Sequence, residues 1–84
     1  MQLHDAVNDV LLKEILENVK LFEGSHLFGP GSLPEYDPED VGRHIKYLYG
    51  KGCIDAIHSN GDDYLNNYLA RNITLNGLSL LKKL

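Results

Sequence analysis

Arg43, Lys46, Lys51 and Arg71 are the residues of this chain best suited to meeting a charged partner. A guanidinium forks onto two acceptors, such as a guanine edge or a phosphate, whereas an ammonium offers phosphate a point charge. A second group, Asp62, Asp63, Tyr64 and Leu65, has the opposite character. Its acids would repel phosphate, and its mix of apolar and acidic side chains suits contact with another protein. His4, His26, His44 and His58 raise the question of a metal, but they lack the close ligand pairs of a zinc motif, so no metal is expected. Gly29-Pro30-Gly31 is not followed by the lysine and helix of a phosphate-cradling loop. With no recognisable set of nucleophile, base and orienting residue either, the chain is expected to be non-catalytic and to need no cofactor.

The elements that must position these residues follow from periodicity and punctuation. Val7, Leu11, Leu12, Ile15, Leu16, Val19 and Phe22 recur at three- and four-residue steps and predict an amphipathic helix over 5–22, capped by Asp5 and stopped by Gly24. The 24–36 stretch holds Gly29, Pro30, Gly31 and Pro34, too many breakers for a regular helix. His26 to Phe28 can make a short strand there, and Phe28 and Leu33 are expected to pin the loop to the core. Asp37-Pro38 with Glu39 and Asp40 is a strong helix start. Val41, His44, Ile45 and Leu48 form the inner face of that helix over 37–50, with Gly42, Arg43 and Lys46 outside and Gly52 as the left-handed stop. Strands over 53–58 and 68–73 flank a turn rich in polar residues around Asn60-Gly61, and Thr74 caps a last helix over 74–84. Leu75, Leu78, Leu80, Leu81 and Leu84 are expected to pack it onto the first helix. On this reading His44 is a core histidine bonded to a backbone carbonyl, and Cys53 is inert packing.

The chain has 84 residues and a mass of 9.4 kDa, enough for one small domain. Domains of this size often need reinforcement, and with Cys53 as the sole cysteine an intrachain disulfide is ruled out. Reinforcement by a second copy is the remaining option, and a homodimer is expected. A lone cysteine, no leader pattern and no apolar run of membrane length point to the cytoplasm. The formal charge of −4 lies wholly in residues 1–35, where six carboxylates oppose Lys13 and Lys20. From Tyr36 onward six cations balance six carboxylates. Such a balance disfavours indiscriminate binding to polyanions.

Helix, capped helix, hairpin and closing helix occur here in the order of an α+β winged helix-turn-helix domain. The residues also resemble a known family in Tyr36-Asp37-Pro38-Glu39-Asp40, in Val41-x-x-His44-Ile45-x-x-Leu48, in Gly52-Cys53-Ile54-Asp55-Ala56, and in Tyr68-Leu69-Ala70-Arg71-Asn72-Ile73-Thr74-x-x-Gly77-x-x-x-Leu81. That family comprises small phage-borne and bacterial winged-helix proteins of the YjcQ-like kind, classed as a domain of unknown function. The resemblance covers residues 36–84 well and the first helix loosely, with Cys53 standing where an aliphatic residue is usual. It implies a winged-helix fold and a mobile-element setting, and it supplies no catalytic or binding residue.

Two functions follow as expectations. In a winged-helix protein the exposed face of the 37–50 helix usually enters a DNA major groove, so Arg43, Lys46, Lys51 and Arg71 become DNA contacts of a small dimeric regulator. Gly42 would then allow close approach. The competing structural account is that Arg43 and Lys46 only solvate the helix, paired at helical spacing with acids such as Glu39. The second function is a protein-interaction module that uses the wing, with Asp62, Asp63, Tyr64 and Leu65, or the first helix. An acid-free cationic face favours the first function, and interruption of the cations by carboxylates favours the second.

Overall fold

The computed structural model describes residues 7–58 and 68–84. Among these residues the chain is a small α+β fold with three α-helices, α1 (Asp9–Leu21), α2 (Pro38–Gly50) and α3 (Leu75–Lys83), and one antiparallel pair of strands, β1 (Ile54–His58) and β2 (Tyr68–Ile73). This arrangement is compatible with a winged helix. The expected turn over 59–67 lies outside the described residues, as do His4, Asp5, Asp62, Asp63, Tyr64 and Leu65.

α1 starts later than the sequence predicts. Its N-cap is Asn8, whose Oδ1 accepts from the amides of Val10 at 2.9 Å and Leu11 at 3.2 Å. The backbone N–H of Asn8 donates to His44 Nε2 at 3.0 Å, and His44 Nδ1 lies 2.7 Å from the Asp40 carbonyl. Because an amide can only donate, Nε2 is the acceptor and Nδ1 carries the hydrogen. His44 is 3% exposed and both its nitrogens are used, so the expected core histidine also ties the start of α1 to α2. Val7 therefore precedes the helix, and Phe22, placed in the core by periodicity, sits at the C-cap and is partly exposed. Leu11, Leu12, Ile15, Leu16 and Val19 are the residues of α1 that are buried.

The 24–36 stretch makes only a single 3-10 turn at Pro30–Ser32. Phe28 exchanges two backbone hydrogen bonds with Ala70, at 2.9 and 2.8 Å, and thus supplies a one-residue third strand beside β2. Phe28 and Leu33 are both buried, as their pinning role requires.

α2 has the predicted bounds. Asp37 Oδ1 accepts from the Glu39 amide at 3.0 Å, and Pro38 occupies the first turn. At the other end Gly52 has φ +74°, its N–H donates to the Tyr49 carbonyl, and the Cys53 N–H donates to the Leu48 carbonyl. These two bonds are the Schellman pattern, which only a left-handed residue at position 52 permits without strain. Gly42 is buried, because the inner stripe of α2 is wide enough to include its flank position, so it offers no close approach from outside.

β1 and β2 pair from Ile54↔Ile73 to His58↔Tyr68, with a bulge at Arg71, which has no partner across the ladder. The bulge leaves Ala70 buried between Ala56 and Phe28 while Arg71 faces outward. Beyond β2, Thr74 joins two chain corners. Its amide donates to the Cys53 carbonyl at 3.0 Å, its Oγ1 donates to the Gly52 carbonyl at 2.6 Å, and the same oxygen accepts from the Gly77 amide at 3.1 Å. Gly77 presses so closely on this corner that a Cβ would overlap the Cys53 carbonyl. With Gly77 inside, Leu80, Leu81 and Leu84 also turn inward and pack on the core. Leu75 is two residues, or about 200° of helix rotation, from Gly77. It is accordingly 82% exposed and does not pack as predicted.

Gly77→Ala is expected to cost about 3 kcal/mol, because the methyl meets backbone that cannot swing aside. Thr74→Ala should cost about 1 to 2 kcal/mol, the usual range for a lost N-cap. Urea unfolding of both variants tests this ranking, and equal losses would contradict the close approach at Gly77.

Candidate functional site

The four predicted DNA contacts do not form a free cationic face. Arg43 Nη2 lies 2.8 Å from Asp40 Oδ1, one turn back on α2, and both side chains are about half exposed. Asp40, at i−3, shares the same side of the helix as Arg43. Arg71 reaches across the bulge to Asp55, with Nε at 3.2 Å and Nη2 at 2.8 Å from the same carboxylate oxygen. Lys51 is at the C-cap of α2 with its ammonium 5.6 Å from the centre of the Tyr47 ring, a cation–π distance. Lys46 is exposed and has no carboxylate partner among the described residues. Asp37, Glu39 and Asp40 crowd the N-terminal end of α2, the end a recognition helix usually turns toward bases. Exposed ion pairs contribute little and exchange readily, so pairing weakens the cationic face without abolishing it.

The Arg71–Asp55 pair has an electrostatic signature. The hydrogen bonds from Arg71 hold the Asp55 carboxyl below its ordinary value; burial opposes this, while the charge of Arg71 and bonds from Asn72 and the Ala56 backbone reinforce it. Tyr36 shows the converse effect. Its hydroxyl donates to Glu14 Oε2 at 2.8 Å, and that bond, with burial and the charges of Glu14 and Glu35, raises the phenol above its ordinary value. The aromatic residue ahead of the Asp37 cap thus fastens the entry of α2 to α1. Cys53 is buried, and burial pushes its thiol up against the weaker opposing pull of Lys51, as inert packing requires.

A concave site lies elsewhere. Between the C-terminal half of α1, the 3-10 turn and β2 there is a cavity of about 330 Å³, lined by the apolar Val19, Phe22, Leu27, Phe28 and Ala70 and by the polar Asn18, His26, Ser32 and Arg71. Phe22 and Leu27 are partly exposed, and the Phe22 ring tilts against His26 at 5.2 Å between centroids. Periodicity hides this site by assigning Phe22 to the core. The available signal is the density of Phe22, His26, Leu27 and Phe28 around a loop too broken to bury them all.

A second exposed aromatic group lies on α2. Tyr47 and Tyr49 are each partly exposed, and Tyr49 stacks on Tyr68 of β2 at 4.7 Å. Among the described residues no group of three or more His, Cys, Asp or Glu side chains could hold a metal ion. Nor is any helix among them long and apolar enough to cross a membrane. Compared with protein-family models, with curated proteins and with solved structures, the chain matches none.

Among the described residues, two of the three shifted groups, Asp55 and Tyr36, sit in side-chain hydrogen bonds whose loss predicts a pH response. Asp55, whose folded value is depressed, contributes stability above the ordinary carboxylate range and loses it as pH falls through the folded value. Tyr36, whose folded value is raised, contributes below the ordinary phenol range and loses it as pH rises through the folded value. Carboxyl-carbon NMR should therefore find Asp55 titrating below the ordinary aspartate range, and Arg71→Gln should return it toward that range. In alkali, Tyr36→Phe should flatten the decline in unfolding free energy; an unchanged slope would remove the Tyr36–Glu14 bond from this account.

Proposed function

We propose that this chain is a non-catalytic recognition module with a winged-helix arrangement, and that its ligand is a protein. The element order supports the first part, with α2 in the place of a recognition helix, the β1–β2 hairpin in the place of the wing, and a 3-10 turn where a helix-turn-helix has its first short helix. The resemblance of residues 36–84 to YjcQ-like winged-helix proteins points the same way and carries with it a phage or bacterial mobile-element setting.

The cavity between α1 and β2 is the observation that carries the second part. Its five apolar lining residues, among them the partly exposed Phe22 and Leu27, together with the polar Asn18, His26, Ser32 and Arg71, form a concave surface suited to one apolar side chain of a partner flanked by a polar group. Displacing Asp55 from Arg71 would let that guanidinium meet a carboxylate on the incoming chain. A single carboxylate on such a partner meets far less repulsion from the formal charge of −4 than the polyanionic backbone of DNA does.

Panning a random peptide library against the immobilised chain tests the reading. Enriched peptides should carry a large apolar residue near an acid, and their binding should fall at least about tenfold with Leu27→Asp, equivalent to ~1.4 kcal/mol. Selected peptides indifferent to Leu27→Asp would remove the cavity as the site.

Binding to DNA remains a second reading because Lys46 is exposed and has no carboxylate partner among the described residues, with Arg43 and Lys51 on the same helix. Fluorescence anisotropy with a labelled duplex separates the two. The protein reading predicts no appreciable binding even at low salt. Binding that weakens with salt and disappears in the Arg43→Ala, Lys46→Ala double variant would establish the DNA reading instead.

A further inference from the structure

The outward face of α1 has a self-complementary order. Asp9, Val10, Lys13, Glu17, Lys20 and Leu21 are all exposed, with Val10 at 62% and Leu21 at 73%. At 100° per residue Val10, Lys13, Glu17 and Leu21 fall within a stripe about 80° wide, opposite the buried face of the helix. Lys13 and Glu17 make no ion pair with one another, and their order along the helix is the weaker one for an i,i+4 pair.

α3 borders this stripe on one side. Leu84 and Lys83 share a shallow groove with Val10 and Lys13, and Leu81 shares a second groove with Glu17 and Leu21. Val10 and Leu21 are about 16 Å apart along the helix axis, so each end of the stripe has both an exposed aliphatic side chain and a groove beside it.

From this pattern we infer that α1 is the core of a two-fold homodimer, in which the α1 helices of two copies pack antiparallel along the stripe. A two-fold axis level with Ile15 brings Val10 against the partner's Leu21, Lys13 against the partner's Glu17, and Asp9 near the partner's Lys20. Each match occurs twice, because an isologous interface repeats every contact. Leu21 of each copy then enters the groove formed by Val10 and Leu84 of the other. The charge order commits the occupant to a second copy: a parallel α1 pair sets Lys13 against lysine and Glu17 against glutamate. This surface is separate from the α2 face and from the groups that line the proposed peptide cavity.

Sedimentation velocity over a concentration series tests the inference. The native chain should pass from 9.4 kDa to twice that mass and no further, since a two-fold interface closes. Leu21→Glu, at an exposed position that leaves the fold intact by circular dichroism, should weaken dimerisation at least about tenfold, as should Lys13→Glu alone. The Lys13→Glu, Glu17→Lys double variant exchanges the charges and keeps them complementary, so it should recover dimerisation to within about threefold. A strictly monomeric native chain would overturn the inference. So would a dimer indifferent to Leu21→Glu, open-ended assembly, or a double variant no better than the single.

Discussion

The Cys53 carbonyl, pressed against the α-carbon of Gly77, is the constraint on which most of this small structure depends. It brings the corner between α2 and β1 against the corner between β2 and α3, and Thr74 adds two hydrogen bonds between them while its hydroxyl caps α3 through the Gly77 amide. Any side chain at position 77 would hold the two corners apart. Because they touch, α3 has a defined rotation that turns Leu80, Leu81 and Leu84 onto the core. Gly52-Cys53 and Thr74-x-x-Gly77 are thus two halves of one joint. Their role is architectural.

A second set of polar links holds α1 in place. His44 receives the Asn8 amide at one end of the helix, Tyr36 bonds Glu14 in its middle, and Glu23, just past its end, accepts from the Ile73 amide of β2 at 2.8 Å. Three attachments to three different elements leave the helix little freedom to roll about its axis. Its outward stripe and the cavity wall at Val19 and Phe22 therefore keep a fixed relation to the hairpin. Both proposed interfaces use that rigidity.

Legibility in the sequence followed the range of the determining interaction. The bounds of α2 were readable because Asp37, Pro38 and Gly52 act on their immediate neighbours, and β2 was readable from Tyr68 to Ile73 for the same reason. The start of α1 was not, since Asn8 prevails as cap partly through a bond to His44, 36 residues away. Leu75 was misplaced because the inward side of α3 is chosen by the contact of Gly77 with another segment. At the candidate site, a local acid for Arg43 was foreseeable from helical spacing. The Arg71–Asp55 pair needs the bulge register, and the cavity needs the Phe28–Ala70 bridge. The elements were therefore visible in the sequence, and the concave surface they enclose was not.

A small α+β fold compatible with a winged helix is combined here with carboxylates beside two of the four cations expected to contact DNA and with a concave surface between α1 and β2. On the proposed reading, recognition lies at the junction of α1 and β2 rather than on α2. The most direct test is an amide NMR map of the isotope-labelled chain titrated with a library-selected peptide. The account predicts shifts concentrated at residues 18–32 and 70–71; shifts concentrated at 43–51 instead would contradict it and return recognition to α2.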